Sequence, residues 1–384
     1  MENGTLQIFF ALLRSVIRGE ALSEETRAAC TPAAIKEMSA LASGQDLVHL
    51  LAYALDKASL IPHEAAEKHI LRAVYRYEGL QYEYERIIPA LEAAKIPFIP
   101  LKGSILRAEY PEPWMRTSCD IDLLVRPSDL AAAGEVLVSS LGYTEGERAT
   151  HDVAYDSPSG RHIELHFDLV EEGRAVSAST VLSRVWEDAT PREDGAAFHT
   201  LSDPFFYFYH IAHMAKHFES GGCGLRPFID LFVLDARAGA DAEARDALLA
   251  AGGLLAFANT ARRLSRVMMA GEEIDPLSAR LLDFLLCGGL YGSASNRVAL
   301  QQKRHGGRLG YLFSRVFAPH AKLKRYYPIL EKYPFLNPVM QVRRWLMLLS
   351  PDVARMAKRE LASSGKLDRE TAAEMQLFLG EIGL

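Results

Sequence analysis

Asp120 and Asp122 are the two charges in the run "DIDLLV", a segment that is otherwise apolar. In a β-strand, residues two apart point to the same face. Both carboxylates are therefore predicted on one face, with Ile121 and Leu123 turned into a core. Two bare carboxylates side by side repel, so something positive must neutralise them. Hard divalent cations take oxygen ligands, and Mg²⁺ favours one or two carboxylates together with substrate phosphates. Two such ions, roughly 3.5–4 Å apart, can be bridged by one carboxylate pair. Mg²⁺ or Mn²⁺ is the expected cofactor. A lone D-x-D is weak evidence, because most such pairs are solvated loop or edge residues, so the flanking residues must carry the assignment.

Upstream, the apolar run "IPFIPL" is followed by Lys102, Gly103 and Ser104. A glycine between strand and helix lets the backbone approach a ligand, and a helix N-terminus offers free N–H groups to an anion. Ser104 adds a hydroxyl donor and Lys102 a point charge. Arg116, four residues before Asp120, has the planar fork that grips a phosphate oxygen bidentately. Downstream, "RHIELHFDLV" puts Glu164, His166 and Asp168 on one face and Ile163, Leu165 and Phe167 on the other. Glu164, the more embedded of the two acids, is the expected third carboxylate. It would bind a second metal or take the proton from an attacking hydroxyl; the bland alternative is a strand-edge acid paired with Arg161.

These residues need elements to hold them. Residues 5–94 read as helices. "TLQIFFALLRSVIRG" and "GQDLVHLLAYALDKAS" show apolar residues at helical spacing, and "HEAAEKHILRAVYRYEGLQYEYERIIPALEAAK" is a long helix interrupted at Gly79 and Pro89. From residue 96 the pattern shortens into strands. "RPSDLAAAGEVLVSSLGY" reads as a helix started by Pro127 and Ser128 and stopped by Gly142. "HDVAYDSP" and "RHIELHFDLV" read as a hairpin around "DSPSGR". From Asp203 the chain is helical again. The expected division is an N-terminal helical region at 1–65, a core at 66–200 and a C-terminal helical domain at 201–384.

In the helix "DPFFYFYHIAHMAKHFES", His210, His213 and His217 fall on one face. His213 and His217 have the i, i+4 spacing of a zinc pair, but no glutamate follows His213 in the metalloprotease manner. A structural or substrate-facing role is the preferred reading. Asp230, inside the apolar "FIDLFVL", needs a His or Arg partner.

A phosphate-cradling turn, a D-x-D strand and an acid on a later strand resemble the nucleotidyltransferase fold of the DNA polymerase beta superfamily. The elements "LKGSIL", "MRTSCDIDLLV", "IELHFDL", "HIAHMAKHF", "LRPFIDLFVL" and "YYPILEKYPFLNPVMQVRRW" are similar to the bacterial uncharacterised nucleotidyltransferase family. The resemblance spans residues 65–350. It implies an α+β protein with a small mixed-sheet core between two helical regions. It implies a metal-dependent enzyme that moves a nucleoside monophosphate from a nucleoside triphosphate onto an acceptor, releasing pyrophosphate. It also implies that the helix bearing His213 and His217 lies against the catalytic cleft, near Arg226 and Asp230; His166, on the face of Glu164, is a further expected cleft residue. It does not name the acceptor.

The chain has 384 residues, 24% of them charged, and a formal net charge of −6, a balance that does not favour a long polyanion. The segment from Arg297 to Arg344 is basic and is the one candidate footprint for nucleic acid. The four cysteines show no C-x-x-C pairing and read as reduced thiols of a cytoplasmic protein. No signal peptide and no membrane-spanning run is expected. The expected acceptor is a hydroxyl on a small molecule or a protein. The alternative is a non-catalytic nucleotide-binding or nucleic-acid-binding protein on the same fold.

Overall fold

The computed structural model describes residues 3–170, 176–219, 221–288, 317, 318, 320, 323, 327, 329–347 and 369–384. Five helices come first: α1 (Asn3–Ile17), α2 (Glu24–Ala29), α3 (Pro32–Gly44), α4 (Val48–Lys57) and α5 (His63–Ala93). Then come β1 (Phe98–Pro100), the short helix α6 (Gly103–Leu106), β2 (Asp120–Val125) and α7 (Leu130–Glu135). Strands β3 (Thr144–Arg148), β4 (Asp152–Asp156) and β5 (His162–His166) complete a five-stranded sheet of order β1-β2-β5-β4-β3. The sheet is mixed: β2 and β5 run parallel, and the other neighbours run antiparallel. The fold is thus α+β, as the sequence predicts.

The expected β4–β5 hairpin is present, with Asp156 opposite His162. Three expectations change. Helix α5 runs unbroken for 31 residues through Gly79 and Pro89. Gly79 is carried inside it at the cost of about 1 kcal/mol of a helical glycine, and the Arg161 side chain packs against its bare Cα, where an added Cβ would fall 2.2 Å from a guanidinium nitrogen. Pro89 lies inside the helix near its C-terminal end; it cannot donate to the Glu85 carbonyl, yet the helix continues to Ala93. The helix after β2 is capped at Asp129 rather than begun at Pro127 and Ser128, and it passes into a π turn over Val136–Ser140 before Gly142 adopts φ +74°. Strand β3 was not predicted at all.

The period-2 pattern of β2 sets two cores. Ile121, Leu123 and Val125 are fully buried and pack with Leu80, Ile87 and Leu91 of α5 and with Leu130, Ala133 and Leu137. Each such side chain contributes about 1.5–3 kcal/mol by leaving water, which fixes the register and turns Asp120 and Asp122 to the opposite face. On that face Leu124 joins a second, larger core. This core also takes residues of α1, α3 and α4 and of the later helices α8 (Val176–Leu182), α9 (Val185–Asp188), α10 (Asp203–Glu219), α11 (Arg226–Asp235), α12 (Ala242–Ala251), α13 (Leu255–Ala270) and α14 (Pro276–Gly288). Helices from regions 1–65 and 201–384 therefore pack together against the carboxylate-bearing side of the sheet.

Candidate active site

β1 ends at Pro100, and Leu101 N–H then bonds the Asp122 carbonyl at 3.0 Å. The chain next turns through Lys102, at φ 42° and ψ −115°. A non-glycine residue there stores backbone strain of about 1–3 kcal/mol. The turn closes with Ser104 N–H on the Leu101 carbonyl at 3.2 Å and opens α6. The outcome is a lysine aimed back at β2: Lys102 Nζ lies 2.8 Å from Asp122 Oδ1.

Gly103 has a different role from the one its position suggested. A Cβ there would lie 2.6 Å from Arg116 Nη1 and 3.1 Å from Ser118 Oγ. The absent side chain makes room for two of the protein's own groups on the cleft floor. Ser104 is not on the cleft wall. Its hydroxyl is buried with no hydrogen-bond partner among the described residues, and Ser118 supplies the cleft hydroxyl instead. Arg107, which the sequence reading missed, donates to the Gly103 carbonyl at 2.8 Å and to Ser118 Oγ at 3.2 Å. Burial and the charge of Arg116 lower its pKa to about 10.

On the sheet, Asp122 of β2 pairs in register with Glu164 of β5, and Leu124 pairs with His166. His166 Nε2 lies 2.9 Å from Asp122 Oδ1 and 3.3 Å from Glu164 Oε2. Ligand atoms of Asp122, Glu164 and His166 all fall within 4.8 Å of one another. Asp120 shares the β2 face and lines the cleft but stands outside this trio. Asp168 is exposed and accepts from Val170 N–H.

The charges are strongly interdependent. Burial pushes the Asp122 carboxyl up, but the charges of Lys102 and His166 and their hydrogen bonds outweigh it and hold Asp122 far below the usual carboxylate range. Burial and the negative charge of Asp122 raise Asp120. Burial opposes charge on His166 too, yet its bonds to Asp122 and Glu164 raise its pKa. Lys102 is likewise raised, because Asp122 overcomes the cost of burial.

The far wall is helical. Asp230 of α11 is 1% exposed and binds Arg116 through two contacts, Nε to Oδ1 at 3.3 Å and Nη2 to Oδ2 at 3.2 Å. Tyr110 donates to Asp230 Oδ1 at 2.7 Å. The partner required for Asp230 is therefore Arg116, and most of that guanidinium is committed to it. His210 is buried with Nε2 3.2 Å from the Pro227 carbonyl, and burial lowers its pKa. His213 and His217 of α10 face the cleft with their Nε2 atoms 2.9 Å apart. Arg226 Nη1 donates to the Thr117 carbonyl at 2.9 Å and lies 3.4 Å from Asp46 Oδ2. Asp46 also binds Arg76 and Thr117, a junction the sequence did not reveal.

The structure thus brings Lys102, Gly103, Arg116, Asp120, Asp122, Glu164, His213, His217, Arg226 and Asp230 onto one cleft of about 310 Å³. An adjoining pocket of about 250 Å³ shares Lys102 and Glu164 and adds His166 and Asp168. The donor set could hold a metal ion: two carboxylates and an imidazole converge from two neighbouring parallel strands.

No curated protein matches the chain. Among solved structures, the solution structure of the antibiotic-resistance factor ANT(2'')-Ia is similar at 12% identity, over 49% of this chain and 88% of that one, with a TM-score of 0.25. At that score the overlap carries no structural argument. Residues 31–270 match the family described as uncharacterised nucleotidyltransferase. That span holds β1, β2, β5 and both helices of the cleft wall, and the chain belongs to the uncharacterised nucleotidyltransferase family.

Proposed function

We propose that the protein is a metal-dependent nucleotidyltransferase that moves a nucleoside monophosphate from a nucleoside triphosphate onto a hydroxyl of a small molecule or protein, releasing pyrophosphate. The observation that carries this reading is the convergence of Asp120, Asp122 and Glu164 on one cleft beside the Lys102–Gly103 turn. Membership of the family supports transfer of a nucleotidyl group.

Asp122 and Glu164, with Asp120 beside them, would hold a divalent cation, Mg²⁺ or Mn²⁺. Bound there, the cation supplies positive charge to the phosphate oxygens. Lys102, at the cleft edge, is placed to exchange Asp122 for a phosphate oxygen. The α6 turn at Gly103 would face the triphosphate with Arg116 beside it, its Nη1 2.6 Å from where a Gly103 Cβ would lie. The acceptor hydroxyl attacks the α-phosphorus in line, its proton passing to a carboxylate of the set. His213, His217 and Arg226 line the wall on which the acceptor is placed. Positioning and charge neutralisation carry the rate enhancement in such a reaction.

Generic RNA and DNA are not part of this proposal, given the net charge of −6. Of the lysines and arginines between Arg297 and Arg344, all but Lys332, Arg343 and Arg344 lie outside the described residues. No helix among the described residues is long and apolar enough to cross a membrane. The four cysteines are free thiols, in keeping with a cytoplasmic location.

The test is incubation with each labelled nucleoside triphosphate, Mg²⁺ or Mn²⁺, and a cell extract as acceptor source. Transfer of label to a product, lost with EDTA, is the expected result. Absence of labelled product with every nucleotide and both metals would sink the reading.

A further inference from the structure

We infer that His166 is a ligand of the metal centre, and that the centre therefore takes Mn²⁺ in preference to Mg²⁺; this rests on the metal-dependent reading above. The argument starts from the sheet. Glu164 and His166 lie two apart on β5 and share a face. The parallel register sets Glu164 opposite Asp122 and His166 opposite Leu124. The imidazole is thereby delivered to the side of the D-x-D strand at the level of its carboxylates.

Its environment is that of a ligand rather than of a packing residue. The side chain is 5% exposed, and Nε2 sits 2.9 Å from Asp122 Oδ1 and 3.3 Å from Glu164 Oε2. One ring nitrogen thus points between two carboxylates that the parallel strand register has already set side by side. A neutral imidazole at this position would present its Nε2 lone pair to a cation held between the two acids, beside their oxygen donors.

That nitrogen changes which cation is preferred. Mg²⁺ demands an oxygen octahedron and keeps several waters. Imidazole suits first-row transition metals, while carboxylates suit Mg²⁺ and Mn²⁺ alike. A set of two carboxylates and one imidazole is common ground for Mn²⁺ and poor ground for Mg²⁺. Glu164 lies at 28% exposure, which leaves the site open on one side for phosphate or water.

The experiment uses the full-length protein and Mn²⁺ as probe. Binding is followed by loss of the free aquo-ion EPR signal, Mg²⁺ affinity by competition, and ligand identity by pulsed EPR of ¹⁴N couplings. We expect Mn²⁺ bound with an imidazole-type ¹⁴N coupling that persists in His151→Gln and disappears in His166→Gln. The variant should lose about tenfold or more in Mn²⁺ affinity and much less in Mg²⁺ affinity. Mn²⁺ bound without that coupling, or a coupling lost with His151→Gln instead, would overturn the inference and leave the carboxylate site standing. No Mn²⁺ bound, with or without nucleoside triphosphate, would overturn both the inference and the reading it rests on. Should His166→Gln fail to fold, retention of the coupling in a His151→Gln/His162→Gln/His213→Gln/His217→Gln variant, which also removes the ring 4.0 Å from Glu164, assigns it to His166, and its loss there refutes the assignment.

Discussion

Lys102 Nζ lies 2.8 Å from Asp122 Oδ1, so a cation of the protein itself rests on the D-x-D pair. The ammonium is 22% exposed and the carboxylate 3%, and the strained turn at Lys102 is what aims the side chain there. Removing one partner of a nearly buried pair strands the other charge. Lys102→Met is therefore expected to lower the stability of the metal-free protein by about 2–4 kcal/mol, less than for a sealed pair because water reaches the lysine. Mn²⁺ should raise the melting temperature of the variant more than that of the wild type. Equal metal-induced shifts would show that Lys102 and the metal do not compete for Asp122.

Asp120 gives the cleaner test of the carboxylates. Burial and the charge of Asp122 make its ionised form costly, so Asp120→Asn removes a repulsion rather than a support. The expected outcome is an unchanged or higher melting temperature together with a loss of about 100-fold or more in kcat/KM for nucleotidyl transfer. A variant that transfers at the wild-type rate would place Asp120 outside the chemistry.

Two buried histidines should shift stability with pH in opposite senses. His166 has a raised pKa when folded, so its contribution in the metal-free protein is complete below the ordinary histidine value and is lost as pH rises through the folded value. His210 has a lowered pKa. The unfolded chain takes up its proton first, so that contribution is complete above the ordinary value and fades as pH falls toward the folded one. Melting temperature against pH should therefore lose its alkaline decline in His166→Gln and part of its acid decline in His210→Gln. Parallel profiles for both variants and the wild type would contradict the two shifts.

The sheet half of the site was legible because burial writes itself into strands with period 2. "DIDLLV" and "RHIELHFDLV" declare their faces, and the carboxylates follow from the apolar partners. Strand β3 was not legible, since all five of its residues are exposed and none alternates. Helix α5 reads as broken because Gly79 looks like a stop signal, whereas its absent side chain accommodates Arg161 from the turn ahead of β5. The bond between Lys102 and Asp122 depends on the turn's backbone angles, which residue types do not specify. The pairing of Arg116 with Asp230 spans 114 residues; the need for a partner was visible at Asp230, its identity was not.

That pairing should behave as a structural clamp between β2's approach loop and α11. Arg116 is 9% exposed and Asp230 1%, so Asp230→Ala leaves a guanidinium buried without its counter-charge and removes the acceptor of Tyr110. A loss of about 3–5 kcal/mol is expected, near the scale of a whole domain's stability. The double variant Arg116→Met/Asp230→Leu should recover most of it, because neither charge then remains to be solvated. A double-mutant cycle by chemical denaturation measures the coupling; strictly additive losses would mean that the two side chains do not depend on each other.

Gly103 joins the clamp to the turn, and its substitution tests both. A Cβ at this position meets Arg116 Nη1 at 2.6 Å and Ser118 Oγ at 3.1 Å. Ordinarily a long arginine gives way to a methyl group at little cost. Here it is pinned by Asp230, and Ser118 is held by Arg107, so the backbone of α6 must move instead. Gly103→Ala is expected to cost about 1–3 kcal/mol, the range for overpacking a well-filled site, and to weaken nucleoside triphosphate binding as the Lys102 turn shifts from Asp122. Calorimetric titration with nucleotide and Mn²⁺, alongside thermal unfolding, reads the two effects separately. Freeing the arginine by Asp230→Asn in the Gly103→Ala background should restore part of the nucleotide affinity, even though Asp230→Asn alone does not raise it. If the alanine variant binds nucleotide as the wild type does, the α6 turn is not part of the phosphate site.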